Sequence, residues 1–231
     1  MTFIQFKKNL IQNILNLNPK KKTFPKGTTL TSEFFTNEKV FIIHKGLIRH
    51  YHLVSDQKEF LLGCYTSNNL IPIDNLLEFS IKEKSFESFS IEICEDSEIY
   101  ILDDSFLKNL LNIQINIYLE LTNYIALFYE KLFFQIRDIK VFSTEDALLS
   151  LLLRAYNSYG NTNNNYIEHK ILNKNLAKCL DSTEETISRI LKKLEKENII
   201  YKKNSIFILN DPSLIEKKLG CNYCKKHICF F

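Results

Sequence analysis

The stretch NKNLAKCLDSTEETISRILKKLEKENII, residues 173–200, decides how this chain is read. It predicts a short helix over Lys174–Leu180, a turn at Asp181-Ser182-Thr183, and a longer helix from about Glu184 to Glu197. In the longer helix Ile187, Ile190, Leu191 and Leu194 recur at helical spacing, giving one face that packs on a core. Glu185, Ser188 and Arg189 share another face near its N-terminal end. Two helices joined by a tight turn, with polar side chains at the start of the second, have the geometry by which a helix enters the DNA major groove.

The side-chain chemistry agrees. Arg189 can donate two hydrogen bonds to guanine O6 and N7, Glu185 can accept from the N4 amine of cytosine, and Ser188 can contact either kind of base or a thymine methyl. Lys192 and Lys193, with Lys202 and Lys203 beyond them, are placed to position phosphates. The last two lie in YKKNSIFILN (201–210), which reads as a hairpin turning at Asn204-Ser205. An isolated charged amphipathic helix is more often a solvated face. The hairpin in the place of a wing reverses that preference.

The rest of the chain falls into segments of different texture. Residues 1–18 carry Phe3, Phe6, Leu10, Ile14 and Leu17 near helical spacing, and Pro19 with the lysines after it ends that helix. From Thr23 to about Asp103, VFIIH (40–44), LIRHYHLV (47–54), KEFLLGCY (58–65) and ESFSIEIC (87–94) read as strands of a barrel or roll. From Ser105 to Val141 there is no Gly or Pro, and Tyr118, Leu121, Ile125, Phe128, Leu132, Ile136 and Ile139 step by threes and fours. This predicts one long helix; the stripe suits a dimer seam or a core-facing helix equally. In STEDALLSLLLRAYNSYG (143–160), Ser143 and Thr144 cap a helix, Glu145 and Asp146 fill its first turn, and Gly160 ends it. NTNNN (161–165) is a turn, and YIEHKI (166–171) alternates like a strand. The expected fold is α+β, with a roll domain at 1–104, a long helix at 105–141, a winged helix-turn-helix at 142–212 and a tail at 213–231.

The 231 residues carry a net charge of only +3, which does not by itself announce a nucleic-acid partner. MTFIQFKKNL lacks the apolar run of a signal peptide, and no segment approaches a membrane span, so a cytoplasmic location is expected. Thiols there stay reduced, and clustered cysteines read as metal ligands or redox groups. Cys221, Cys224 and Cys229 cluster in CNYCKKHICFF (221–231). Their C-x2-C-x4-C spacing leaves several readings open: an iron–sulfur site, a zinc site completed by His227 or Asp138, a thiol redox switch, or no role. Cys64, Cys94 and Cys179 lie in apolar contexts and read as inert core thiols. His50 and His52 share a strand face, which by alternation alone allows a metal site. No Gly-rich phosphate loop and no Ser/His/Asp spacing stands out, so no catalytic residue is assigned and an enzyme is not expected.

The order of roll, long helix and winged helix with ETISRILKKLE (185–195) resembles the Crp/Fnr transcription regulators, over about residues 20–210. VFIIHKGLIRHYHLVSDQKEFLLG (40–63) is similar to the central roll strands of that family, including Gly46. Glu185, Ser188 and Arg189 match the spacing of the Fnr branch; where the Crp branch has an arginine before the glutamate, this chain has Glu184. The resemblance implies a jelly roll like those that bind cyclic nucleotides, a dimerisation helix, and a homodimer on a pseudo-palindromic double-stranded DNA operator. RNA polymerase is implied as a partner, and no membrane. Crp-type rolls hold the nucleotide phosphate with Gly-Glu and Arg-Ser pairs. NNLIPIDNLLEFSIKEKSFESFS (68–90) has neither glycine nor arginine, so no cyclic nucleotide is expected.

The tail resembles the cysteine motif of the Fnr proteins of Bacillus and its relatives. There three cysteines and an aspartate, from an Arg-Asp pair at the end of the long helix, hold a [4Fe-4S] cluster. The resemblance implies the same for Cys221, Cys224, Cys229 and Asp138, which follows Arg137, and with it an oxygen-responsive regulator active under anaerobic conditions. The alternative within the family is a regulator without a cluster, similar to ArcR or virulence regulators through NLIPIDNLL (69–77), whose tail holds zinc or acts as a thiol switch.

Overall fold

The computed structural model describes residues 3–31, 34–35, 37–55, 58–73, 89–161, 163–221 and 229. The chain divides into two compact units, Met1–Leu127 and Phe128–Phe231.

The first unit opens with helix α1 (Phe3–Leu15), followed by strands β1 (Lys20–Phe24), β2 (Thr29–Leu30), β3 (Glu38–Lys45), β4 (Leu47–Ser55), β5 (Lys58–Thr66), β6 (Asn69–Pro72), β7 (Phe89–Ile93) and β8 (Ser97–Asp103). Two four-stranded sheets run in the orders β1-β8-β3-β6 and β2-β7-β4-β5, with antiparallel pairing among the described residues. In β3 the run Val40–Ile43 is wholly buried, while β8 alternates buried and half-buried positions for most of its length. Leu10 and Ile14 of α1 are fully buried. Phe3 stacks on Tyr124 with ring centroids 6.0 Å apart, and the Tyr124 hydroxyl donates to the Leu70 carbonyl at 3.1 Å. Lys7 is buried and donates to Asn69 Oδ1 at 2.9 Å; burial brings its pKa down to about 8.

The structure differs from the sequence expectation in two places here. KKKTF is not merely a helix stop but strand β1, paired with β8 from Lys20 opposite Ile101 to Phe24 opposite Ser97. Lysines are poor strand formers but suit an outermost strand, where charge discourages further pairing. The segment expected as one long helix is two, α2 (Asp104–Ile113) and α3 (Ile115–Val141), broken at Gln114. Lack of Gly and Pro permits continuity without enforcing it. Each helix has buried anchors of its own, Leu107 and Leu110 in α2, then Tyr118, Leu121 and Tyr124 in α3. Of the expected stripe, Tyr118, Leu121 and Phe128 are buried and Ile125, Leu132 and Ile139 half-buried, whereas Ile136 is exposed, in an apolar row with the exposed Tyr129 and Phe133. A helix with apolar residues on more than one face has more surface to cover than a single-faced helix.

The second unit contains the end of α3, then α4 (Thr144–Tyr159), β9 (Gly160–Asn161), β10 (Tyr166–Ile167), α5 (Asn173–Cys179), α6 (Glu184–Lys196), β11 (Ile200–Lys203), β12 (Ile206–Leu209) and α7 (Pro212–Lys218). Ser143 caps α4, its hydroxyl accepting from the Asp146 amide at 3.1 Å. The sheet order is β11-β12-β10-β9. Asn204 and Ser205 both take positive φ between β11 and β12, as a two-residue hairpin turn requires. The core joins Leu148, Leu149, Leu152 and Leu153 of α4 with Ile187, Leu191 and Leu194 of α6 and Phe207 and Leu209 of the wing.

Gly46 joins β3 to β4 with φ +108, and a Cβ there would lie 2.0 Å from Ser97 Oγ. Gly46→Ala is expected to destabilise the roll by more than about 1 kcal/mol, read as a lower denaturant midpoint; an unchanged midpoint would mean that the turn relaxes freely.

Candidate nucleic-acid interface and cysteine tail

The helix pair is built by local rules. α5 ends with Asp181 in the left-handed region (φ 47), the Ser182 amide donating back to the Ala177 carbonyl at 2.9 Å. That is the reverse turn usually made by glycine, taken here by an aspartate that tolerates positive φ. Thr183 then caps α6, its hydroxyl accepting from the Thr186 amide at 3.1 Å. Glu184 and Glu185 sit in the first turn, where acidic side chains suit the helix dipole. Ile187, Leu191 and Leu194 are buried, and Glu185, Arg189, Lys192 and Lys193 are exposed on the remaining surface. Ser188 is half-buried and accepts a hydrogen bond from Asn173 Nδ2 at 2.9 Å.

The lysines divide into different environments. Lys192 and Lys203 are exposed. Lys193 binds Glu145 Oε2 at 2.6 Å, and Lys218 of α7 binds Oε1 of the same carboxylate at 2.7 Å. Hydrogen bonds from Lys193 and Lys218 hold the Glu145 carboxyl below the usual carboxylate range, so it stays ionised at neutral pH. Glu145 thereby ties the start of α4 to α6 and to the helix that leads into the tail. Lys202, expected on a phosphate, is half-buried with its ammonium on Asn173 Oδ1 and 5.0 Å from the Phe207 ring centroid. Its position on the wing strand turns it inward, whereas the next residue, Lys203, turns out.

Asp138 stands in the last turn of α3. It is buried, 4% exposed. Its Oδ1 accepts from Arg137, while Oδ2 accepts from the Ser150 hydroxyl at 2.6 Å and from Arg154 Nη2 at 2.8 Å. Arg154 is itself only 5% exposed. Ser150 and Arg154 stand one turn apart on α4, and an arginine inside the apolar run LLLRAY was the sequence signal for a buried partner.

The tail lies in the same unit as Asp138. Cys221 and Cys229 are half-buried and pack against the core that also receives Ile139 and Phe142. Asn157 Nδ2 donates to the Cys229 carbonyl at 3.0 Å. Cys224 and His227 lie outside the described residues, as do residues 74–88 of the stretch from which no cyclic nucleotide was expected. Among the described residues no group of His, Cys, Asp and Glu is gathered as for a metal ion. His50 is buried, which pushes its pKa down to about 3 and keeps it neutral. Cys64, Cys94 and Cys179 are half-buried, and burial pushes the Cys94 thiol pKa up.

With this geometry in place, residues 146–217 match the Crp-like helix-turn-helix domain. The chain has a Crp/Fnr-type fold. Its structure is similar to that of CooA from Carboxydothermus hydrogenoformans, at 17% identity and a TM-score of 0.71 over 89% of each chain. It is also similar to FixK2 from Bradyrhizobium japonicum, at 14% identity and a TM-score of 0.70 over 86% of this chain and 96% of that one. In sequence it is 26% identical over 212 residues to the anaerobic regulatory protein of Bacillus subtilis, covering 90% of this chain and 87% of that protein. These findings support a DNA-binding transcription regulator of the Crp/Fnr type. No helix among the described residues is long and apolar enough to cross a membrane.

Asp138→Ala would leave Arg154 buried without its carboxylate. It is expected to cost about 3–5 kcal/mol of stability, measured by denaturant unfolding of the metal-free chain. A loss within error of zero would show that water reaches Arg154.

Proposed function

We propose that this chain is an oxygen-responsive cytoplasmic regulator that binds a pseudo-palindromic operator as a homodimer and acts on RNA polymerase. The observation that carries the DNA-binding part is α6, buried along Ile187, Leu191 and Leu194 and open along Glu185 and Arg189. Arg189 reads guanine, Glu185 a cytosine amine, and Ser188 a neighbouring base edge, while Lys192 and Lys193 lie along the phosphates. Lys193 reaches a phosphate by exchanging Glu145 for it. The exposed row Tyr129, Phe133 and Ile136 on α3 supports a helix-to-helix dimer, which spaces the recognition helices for paired half-sites.

The signal is read through a [4Fe-4S] cluster held by Cys221, Cys224, Cys229 and Asp138. When bound, the cluster supplies an oxygen-labile centre of thiolate-held iron. The donor set fits in part: two of the thiols stand half-buried on the core of the unit that holds Asp138. Support also comes from the name of the Bacillus subtilis relative, an anaerobic regulatory protein. Asp138 must loosen its bonds to Arg137, Ser150 or Arg154 to present an oxygen, so ligation and the α3–α4 ion pair share one carboxylate. Cys221 follows directly on the turn that ends α7, and Lys218 in α7 shares Glu145 with Lys193 of α6. Through these residues the tail biases the posture of the reading helix, one of two states being favoured when the tail is held.

A second reading is favoured by the same carboxylate. With both oxygens engaged, Asp138 acts as a structural partner of Arg154, and the tail takes zinc or serves as a thiol switch in a regulator without a cluster.

Purification without oxygen, with iron, sulfide and zinc analysis, separates these readings. A brown protein with about four irons and four sulfides per chain, bleached by air with loss of operator binding, is the expected result. Stoichiometric zinc in a colourless protein would replace the cluster with a structural site. On the DNA, Arg189→Ala is expected to cost about 1–3 kcal/mol of discrimination at one guanine position. A uniform loss on all sequences, measured by titration of operator variants, would remove Arg189 from base reading.

A further inference from the structure

Asn173 begins α5 at a point where the recognition helix and the wing converge. Lys202 of β11 places its ammonium on the Asn173 amide, and Ser188 of α6 lies on the other side of that amide. An ammonium group has donors only, so the side of the amide that faces Lys202 must be the carbonyl Oδ1. This fixes an orientation that the heavy-atom positions alone leave ambiguous. Nδ2 then faces Ser188 Oγ at 2.9 Å. An amide N–H can only donate, so the Ser188 oxygen accepts. The Ser188 O–H donates to no described residue and is left for the outer surface of α6.

Lys202 is itself well held. Its backbone amide donates to Glu195 Oε1 at 3.1 Å, and its ammonium lies 5.0 Å from the Phe207 ring centroid. The Ile171 amide donates to the Ser205 carbonyl at 2.7 Å, which ties the entry of α5 to the wing turn. Partial burial draws the Lys202 pKa down, with Glu195 opposing the shift.

We propose that Asn173 is a specificity-determining positioning residue that fixes the Ser188 hydroxyl as a hydrogen-bond donor toward the DNA. A donor at that place reads an acceptor on the base edge: guanine O6 or N7, adenine N7, or thymine O4. It favours these acceptors over cytosine, whose N4 amine meets only the one lone pair that Asn173 leaves on Ser188. The wing takes part in base reading without touching a base, because Lys202 sets the polarity of the amide and the amide sets the polarity of the hydroxyl. This inference rests on the proposal that Ser188 faces the major groove.

The test is a base-preference profile of the full-length protein, purified without oxygen, on an operator library randomised one position at a time. Ser188→Ala is expected to relax preference at one position of the half-site, which identifies the base that Ser188 reads. In Asn173→Asp both side-chain oxygens accept. One retains Lys202, and the other takes the Ser188 O–H, so the serine presents lone pairs outward. Cytosine at the Ser188 position is then expected to gain about fivefold relative to wild type, the worth of one hydrogen bond. The guanine preference set by Arg189 should persist in each variant, as the sign that the domain folds and docks. If Asn173→Asp leaves the profile unchanged at the position that Ser188→Ala alters, the inference is overturned while Ser188 remains a base reader. If Ser188→Ala changes no position, base reading by Ser188 falls and the inference falls with it.

Discussion

The buried pair of Asp138 and Arg154 fastens the last turns of α3 to the middle of α4, and the organisation of the C-terminal unit follows from that attachment. A guanidinium inside an apolar core is tolerable only with a carboxylate that satisfies it. Ser150 completes the arrangement from one turn earlier on the same helix. The leucines beside Arg154 line the core on which α6 and the wing rest. Any process that draws on the Asp138 carboxylate therefore reaches the support of the recognition helix. The link runs through a shared residue and needs no long chain of contacts.

The interface built on that support is a division of labour between faces of one helix. Branched aliphatic and leucine side chains face inward, and charged side chains face out. The basic residues around it are not equivalent. Arg189 and Lys192 are exposed, Lys193 is neutralised by Glu145, and Lys202 is used for internal hydrogen bonding. The positive charge available to phosphates is smaller than a count of lysines suggests, which fits the modest net charge of +3.

Much of this was legible in the sequence because it rests on periodicity and turn chemistry. The spacing from Ile187 to Leu194, the caps at Ser143 and Gly160, and the Asn204-Ser205 hairpin are local signals, and the structure contains each of them. Strand β1 was missed because its lysines obey an edge rule that only the finished sheet reveals. The break at Gln114 carries no breaker residue, and the burial of Asp138 depends on a partner sixteen positions away. The Asn173 network joins residues 173, 188 and 202, a combination that no single periodicity marks. Pairwise polar contacts between separate elements are thus the part of the site that sequence patterns convey least. The ligand role of the tail rests on family resemblance, and spacing alone leaves its chemistry open.

The left-handed turn positions carry a consequence for the unfolded chain. Asn18, Asn68, Asn165, Asp181, Asn198 and Asn204 all hold positive φ, in a chain with only 5 glycines. A residue with a Cβ is strained there, by about 1 kcal/mol or somewhat more, although Asn and Asp bear it best. Glycine would remove the strain but would lose roughly 0.5–1 kcal/mol more in backbone entropy on folding. The two effects nearly cancel. The turns are therefore held less by comfort in the native state than by the narrower denatured ensemble that a residue with a Cβ leaves.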